Sequence, residues 1–247
     1  MLDHLVLWER EFFLWLNSPH TQYFDAFMYL ISARWTWTGV VVALICWLFY
    51  KKRPAESLLL ISFTLILMFC SDQVSSGIIK PICERLRPTY HPYTKELVKS
   101  VYHDLAAGFG FVSGHATNFF AIATFTACTF RDRYYTVFVY ITATLIVYSR
   151  IYLGVHFISD VVPGMIIGTL IAWVIFELYR MTRRKIFCKT WKKSIEQKNA
   201  SYPEEPYQIF RPTIACWNLI FTAFIFFLLF FSMDIAGIAS RIGYMPM

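Results

Sequence analysis

Long uncharged runs alternate with short charged segments along this chain. The runs cover residues 35–50, 57–71, 105–130 (interrupted only by His115), 134–149, 161–176 and 213–233. Crossing a hydrocarbon layer about 30 Å thick takes roughly 20 apolar residues in a helix. The pattern therefore predicts an all-α polytopic membrane bundle with six transmembrane helices. Several runs are only about 16 residues long, so each helix must extend into polar residues at one end. The second run continues in this way through Asp72, Gln73, Ser75 and Ser76 to Lys80, a polar end that belongs in the bundle interior or at the interface.

Ahead of the first run, residues 5–17 (LVLWEREFFLWLN) set bulky apolar side chains around a short charged patch and precede Ser18 and Pro19. They predict an N-terminal amphipathic helix lying in the outer interface; a plain packing helix fits the same residues. The chain thus divides into an interfacial region (1–34), a core (35–180), a basic linker (181–212) and a further transmembrane helix with its tail (213–247).

Composition agrees with this reading. Apolar residues make up 57% of the 247 and charged residues 16%, with 24 Phe, 15 Tyr and 8 Trp and a mean hydropathy of +0.48. A soluble globule cannot bury that much apolar surface, and disorder, collagen, coiled coil and a secreted disulfide scaffold are excluded. Five of the six cysteines lie in apolar runs or the basic loop, which gives no disulfide framework. Asp3, Glu9 and Glu11 with a single Arg10 are the wrong charges for a cleaved leader, so insertion falls to the internal segments.

The net charge of +7 reads as orientation rather than nucleic-acid binding. Lys51, Lys52, Arg53, Arg131, Arg133, Arg180, Arg183, Arg184, Lys185, Lys189, Lys192, Lys193, Lys198 and Arg211 fall on one side, 14 of the 23 basic residues. That side is cytoplasmic by the positive-inside rule, which places the loops at 80–115 and 150–160 outside.

Three polar clusters stand at helix ends on that outer side: Lys80 with Arg87 and Pro88; Ser113, Gly114 and His115; and Ser149, Arg150, His156 and Asp160. Lys80, Arg87 and Arg150 are three cations suited to a phosphoryl group, although each alone also fits a snorkelling anchor. Pro88 pushes Arg87 out of helical geometry. Ser113 and Gly114 open a helix, where backbone amides and the dipole favour an anion. His156 and Asp160, four apart, share a face, so the carboxylate can fix the imidazole and leave its other nitrogen as a nucleophile. Metal ligation is the lesser reading because no third ligand is near. His115 remains for the general acid. His4, His20, His91 and His103 lack such partners and read as ordinary surface or interface residues.

KPICERLRP (Lys80 to Pro88), VSGH (Val112 to His115) and SRIYLGVHFISD (Ser149 to Asp160) resemble the three signature blocks of the type 2 phosphatidic acid phosphatase superfamily. Vanadium haloperoxidases share its fold and site. The resemblance covers residues 35 to 180 and implies that His156 attacks phosphorus to form a phosphohistidine while Asp160 supports it. It further implies that His115 protonates the leaving group, and that Lys80, Arg87, Ser113, Gly114 and Arg150 hold the phosphate with no metal or other cofactor. Val112 stands where the family usually has proline, which makes the turn before Ser113 less rigid.

The activity expected is a membrane lipid phosphatase or diphosphatase, similar to bacterial undecaprenyl diphosphatases and lipid A phosphatases. Its partner is a lipid phosphate, with no nucleic acid, and its site faces the periplasm from the inner membrane. Undecaprenyl diphosphate ranks first; lipid A, phosphatidylglycerol phosphate or phosphatidate are the alternatives, and non-hydrolytic binding or flipping of phospholipids is the rival from another class. Residues Thr89 to Val112, with Tyr90, Tyr93, Tyr102, Phe109 and Phe111, either cover the pocket or serve as interfacial aromatic anchors.

Overall fold

The computed structural model describes residues 2–33, 35–50, 53–101, 107–188, 210 and 214–241. Its elements are helical: α1 (Leu2–Asn17), α2 (Gln22–Ser32), a 3-10 turn (Trp35–Trp37) leading into α3 (Thr38–Phe49), α4 (Pro54–Cys83), α5 (Gly114–Phe130), α6 (Arg133–Tyr152), α7 (Ile158–Arg183) and α8 (Ile214–Arg241). A π stretch, Arg184–Cys188, continues α7. Most of the expected basic linker, at 189–209 and 211–213, lies outside the described residues, as does the tail at 242–247.

Local chemistry sets several boundaries. Pro54 occupies the first turn of α4, where its missing N–H costs nothing. Thr21 caps α2 by accepting from Phe24 N, and Asp132 caps α6 by accepting from Tyr135 N at 2.8 Å. Arg131 takes a left-handed conformation (φ 47°), which turns the chain from α5 into α6 within two residues.

At the centre stands α5, with α4, α6 and α7 packed around it. Its buried residues run all the way round, from Ala116 and Thr117 to Thr129 and Phe130. Helix α7 approaches it closely because of two glycines one turn apart. A Cβ on Gly168 would lie 2.1 Å from the Thr117 carbonyl oxygen, and one on Gly164 would lie 2.9 Å from that of Ser113. Small residues at such a spacing allow close helix packing in membranes, where apolar burial alone does not drive helices together. Helix α8 lies against α2, α3 and α6, and α1 against α6 and α7. The outer surface is as apolar as the core, with Phe69, Ile141, Trp173, Leu219 and Phe230 all exposed. Lipid is the solvent such a surface fits.

Six spans were expected, and four described helices are long and apolar enough to cross a membrane: Pro54–Cys83, Arg133–Tyr152, Ile158–Phe187 and Trp217–Ala239. A fifth arises if Gln22–Ser32 and Trp35–Phe49, bent by 69°, form one span. The difference has two sources. Within the apolar run at 105–130, the described residues from 107 become helical only at Gly114, and α5 has 17 residues. The run at 35–50 supplies only the second limb of the bent pair.

Candidate active site

The polar end of α4 departs from α-helical geometry in a π stretch, Gln73–Ile79, which leads directly to Lys80. Lys80 Nζ comes to the start of α5: a Cβ on Gly114 would sit 3.8 Å from it and 3.5 Å from Ser76 Oγ. A cation therefore stands beside a helix N-terminus, and both attract an anion. Ser113 is fully buried. Its Oγ accepts from Ala116 N at 3.5 Å as the cap of α5, and its N–H donates to the Asp160 carbonyl at 2.9 Å. The second and third clusters are thereby fastened together.

After Cys83 the chain turns through Glu84 in a left-handed conformation and leaves the helix, with Arg85 reaching Asp160 and Arg87 reaching His156. Arg87 is buried and donates to the carbonyls of Gly108 (Nε, 3.0 Å), Ala107 (Nη2, 3.2 Å) and Val155 (Nη1, 3.2 Å). Its Nη1 also lies 3.3 Å from His156 Nε2. A guanidinium has only donors, so the ring nitrogen facing it carries the lone pair and the proton belongs on Nδ1. Nδ1 is 3.6 Å from Asp160 Oδ2, beyond hydrogen-bond length but close enough to orient the ring.

Asp160 is fully buried; its Oδ2 accepts from Phe157 N at 2.9 Å and its Oδ1 from Arg85 Nη1 at 2.8 Å. On the other flank, buried Arg150 donates through Nη1 to Ser32 Oγ, and His115 Nε2 lies 3.3 Å from the Ser32 carbonyl. The His115 ring stacks on Phe119 with centroids 6.2 Å apart. Of the residues singled out in the sequence, Lys80, Arg87, Gly114, Ser113, His156 and Asp160 converge directly. His115 and Arg150 meet at Ser32. Ser149 stays within its helix, donating to the Ile146 carbonyl at 2.6 Å. Val112 is fully buried.

Burial holds the His156 imidazole well below the usual histidine range, and Arg87, Arg150 and Lys80 push the same way, against the Gly110 carbonyl. A depressed value means that the ring sheds its proton at a lower pH, so the neutral form predominates at neutral pH. The acid limb of kcat/KM is expected below the ordinary value of about 6.5. Lys80→Met removes one of the three cations and is expected to move that limb to higher pH. The second ionisation of a substrate phosphate, at about 6, is common to both enzymes, so displacement between their pH profiles reports the imidazole.

Three contributors escaped the sequence reading. Arg85 could have been found, since it lies two residues from Arg87 in the same cluster. Glu9, which bonds Arg85 Nη2 at 3.1 Å, and Ser32 carry no local signal. One expectation is corrected: His20 does have a partner, with Nδ1 2.7 Å from Asp25 Oδ1, the oxygen to which Tyr152 donates at 2.6 Å. His91 packs edge-on against Phe157 at 5.8 Å. The His4 side chain, Tyr102 and His103 lie outside the described residues. Part of the 89–112 segment reaches the site through the Ala107 and Gly108 carbonyls, while Tyr90 and Tyr93 are exposed. Among the described residues no three His, Cys, Asp or Glu side chains group as metal ligands.

A buried imidazole beside a carboxylate and an arginine, in a bundle with an apolar exterior, suits a membrane enzyme of phosphoryl transfer. The family model described as the PAP2 superfamily matches residues 57–184. The chain belongs to the PAP2 superfamily and is a phosphatase. It is 35% identical over 238 residues, 96% of each chain, to the lipid A 4'-phosphatase of Porphyromonas gingivalis. It is 29% identical over 187 residues, 74% of this chain and 83% of the relative, to the lipid A 4'-phosphatase of Bacteroides thetaiotaomicron. Among solved structures, the PAP2-type phosphatidylglycerolphosphate phosphatase of Bacillus subtilis shares the fold, with a TM-score of 0.54 and 22% identity over 74% of this chain and 88% of that one.

Proposed function

We propose that this protein hydrolyses the 4'-phosphate of lipid A through a phosphohistidine. The observation that carries the reading is the likeness to a lipid A 4'-phosphatase over 96% of both chains, which includes α1 and α8 outside the matched family region. The compact chain and its N-terminal arrangement ranked undecaprenyl diphosphate first; the relatives support the alternative.

In the mechanism, Lys80, Arg87, Arg150, the Ser113 hydroxyl and the Gly114 amide hold the phosphate oxygens. His156 Nε2 attacks phosphorus in line, forming an N–P bond as the P–O bond to the lipid breaks. His115 gives its proton to the departing alkoxide. Water then loses a proton to His115 and attacks phosphorus, releasing inorganic phosphate and restoring His156. Asp160 orients the ring from its Nδ1 side and stabilises the charge that develops on it. Most of the acceleration comes from positioning and fixed positive charge.

The site faces the periplasmic leaflet of the inner membrane in this reading, which the excess of Lys and Arg on the opposite loops supports. Helix α1 lies in that interface, its exposed side formed by the stacked rings of Trp8, Phe12 and Trp15.

The test is phosphate release by purified enzyme from lipid A, undecaprenyl diphosphate and phosphatidylglycerol phosphate in mixed micelles, with and without vanadate. Lipid A losing one phosphate, fastest of the three and blocked by vanadate, is the expected result. Faster turnover of the polyprenyl diphosphate would overturn the substrate assignment.

A further inference from the structure

One face of α1 is built against the segment that carries His156. Glu9, Phe13 and Asn17 recur every four residues and so line up on a single side of the helix. Asn17 Nδ2 donates to the carbonyls of Tyr152 (2.7 Å), Ile151 (3.3 Å) and Lys99 (3.1 Å), gripping the end of α6. Phe13 is fully buried, with its ring 5.1 Å from that of Phe157, the neighbour of His156. Glu9 Oε1 accepts from Ser159 N at 3.0 Å and from Ser159 Oγ. These contacts hold residues 151–159 on both sides of His156.

Glu9 also takes part in a row of charges. Its Oε2 accepts from Arg85 Nη2 at 3.1 Å, while Arg85 Nη1 donates to Asp160 Oδ1 at 2.8 Å and to Ser159 Oγ. The guanidinium carbon lies 5.0 Å from the centre of the Phe157 ring. Two carboxylates thus share one guanidinium, each taking one arm of its fork. That division leaves Asp160 Oδ2, which also accepts from Phe157 N at 2.9 Å, facing the imidazole. A guanidinium released from Glu9 is free to engage both oxygens of Asp160, the bidentate geometry that Arg favours with a carboxylate. Oδ2 would then turn away from His156 Nδ1, and the ring would lose its orientation.

We propose that Glu9 is a positioning residue for the reaction, acting through Arg85 and Asp160 on His156, which makes α1 part of the catalytic apparatus. The proposal rests on the phosphohistidine reading above. No sequence motif marks Glu9, which is 150 positions from Ser159.

The test is a double-mutant cycle in the full-length enzyme. Glu9→Gln keeps the side-chain shape and is expected to lower kcat about 10- to 100-fold, with KM within about twofold of wild type. Inhibition by vanadate, which mimics the transition state bonded to His156, should weaken in parallel, while inhibition by inorganic phosphate should not. In an Arg85→Gln background, Glu9→Gln should cost little more, because the relay is already broken. A role confined to docking α1 would leave the Glu9→Gln loss undiminished in that background. Wild-type kcat for Glu9→Gln, or an equal loss in both backgrounds, would overturn the proposal. His156→Ala measured alongside separates the two readings, since its retention of activity would overturn the phosphohistidine instead.

Discussion

Replacing His156 with alanine is expected to lower kcat by a factor on the order of 10^4 or more, the scale seen when a nucleophile is removed from an intact site. The imidazole is 2% exposed, beside Arg87 and Asp160. Its loss leaves the cations in place, so lipid should still bind and KM should change little. An assay with 32P-labelled substrate quenched in alkali, where phosphohistidine survives, should find label on the wild-type chain and none on the variant. Turnover of purified His156→Ala near the wild-type rate would sink the assignment of the nucleophile.

The second large effect concerns stability, at the other end of the bundle. Arg183 donates to both oxygens of Glu56, through Nε at 3.0 Å and Nη2 at 3.2 Å, and both side chains are fully buried. Arg183→Met leaves a carboxylate buried without its cation, and breaking a buried pair in this way costs about 3–5 kcal/mol. The apolar pair Glu56→Leu with Arg183→Met removes both desolvation penalties and is expected to recover most of that loss. Thermal unfolding in detergent compares the three proteins. Activity at low temperature should be unaffected, because 24 helical residues, about 36 Å, separate Glu56 from Lys80. A Tm for Arg183→Met equal to wild type would overturn this expectation.

The same pair limits what can be read from charge counts. Arg183 was among the 14 basic residues that oriented the chain, yet it is buried against Glu56, and Arg180 pairs with Glu177 at 2.7 Å. Nothing at positions 56 and 183 announces the contact, since each reads alone as a charge at the edge of an apolar run. The span count shows a similar limit. Hydropathy registers that 105–130 is apolar but not that residues 107–113 are non-helical backbone, whose Ala107 and Gly108 carbonyls bind Arg87.

By itself the sequence determined a helical membrane bundle and the family, and it proposed Lys80, Arg87, Ser113, Gly114, His115, Arg150, His156 and Asp160 as the site. Those are legible because apolar periodicity, caps and the four-residue spacing of His156 and Asp160 act over a turn or two of helix. Only the tertiary structure decided that Glu9 holds Arg85, that Arg85 takes one oxygen of Asp160, and that Ser32 joins Arg150 to His115. These partners lie 75 to 118 positions apart or lie on opposite sides of a helix crossing. Their pairing follows from how closely α5 and α7 approach at Gly164 and Gly168 and from where α1 and α2 come to rest. Such contacts are fixed by the fit of whole helices, and no local pattern encodes that fit.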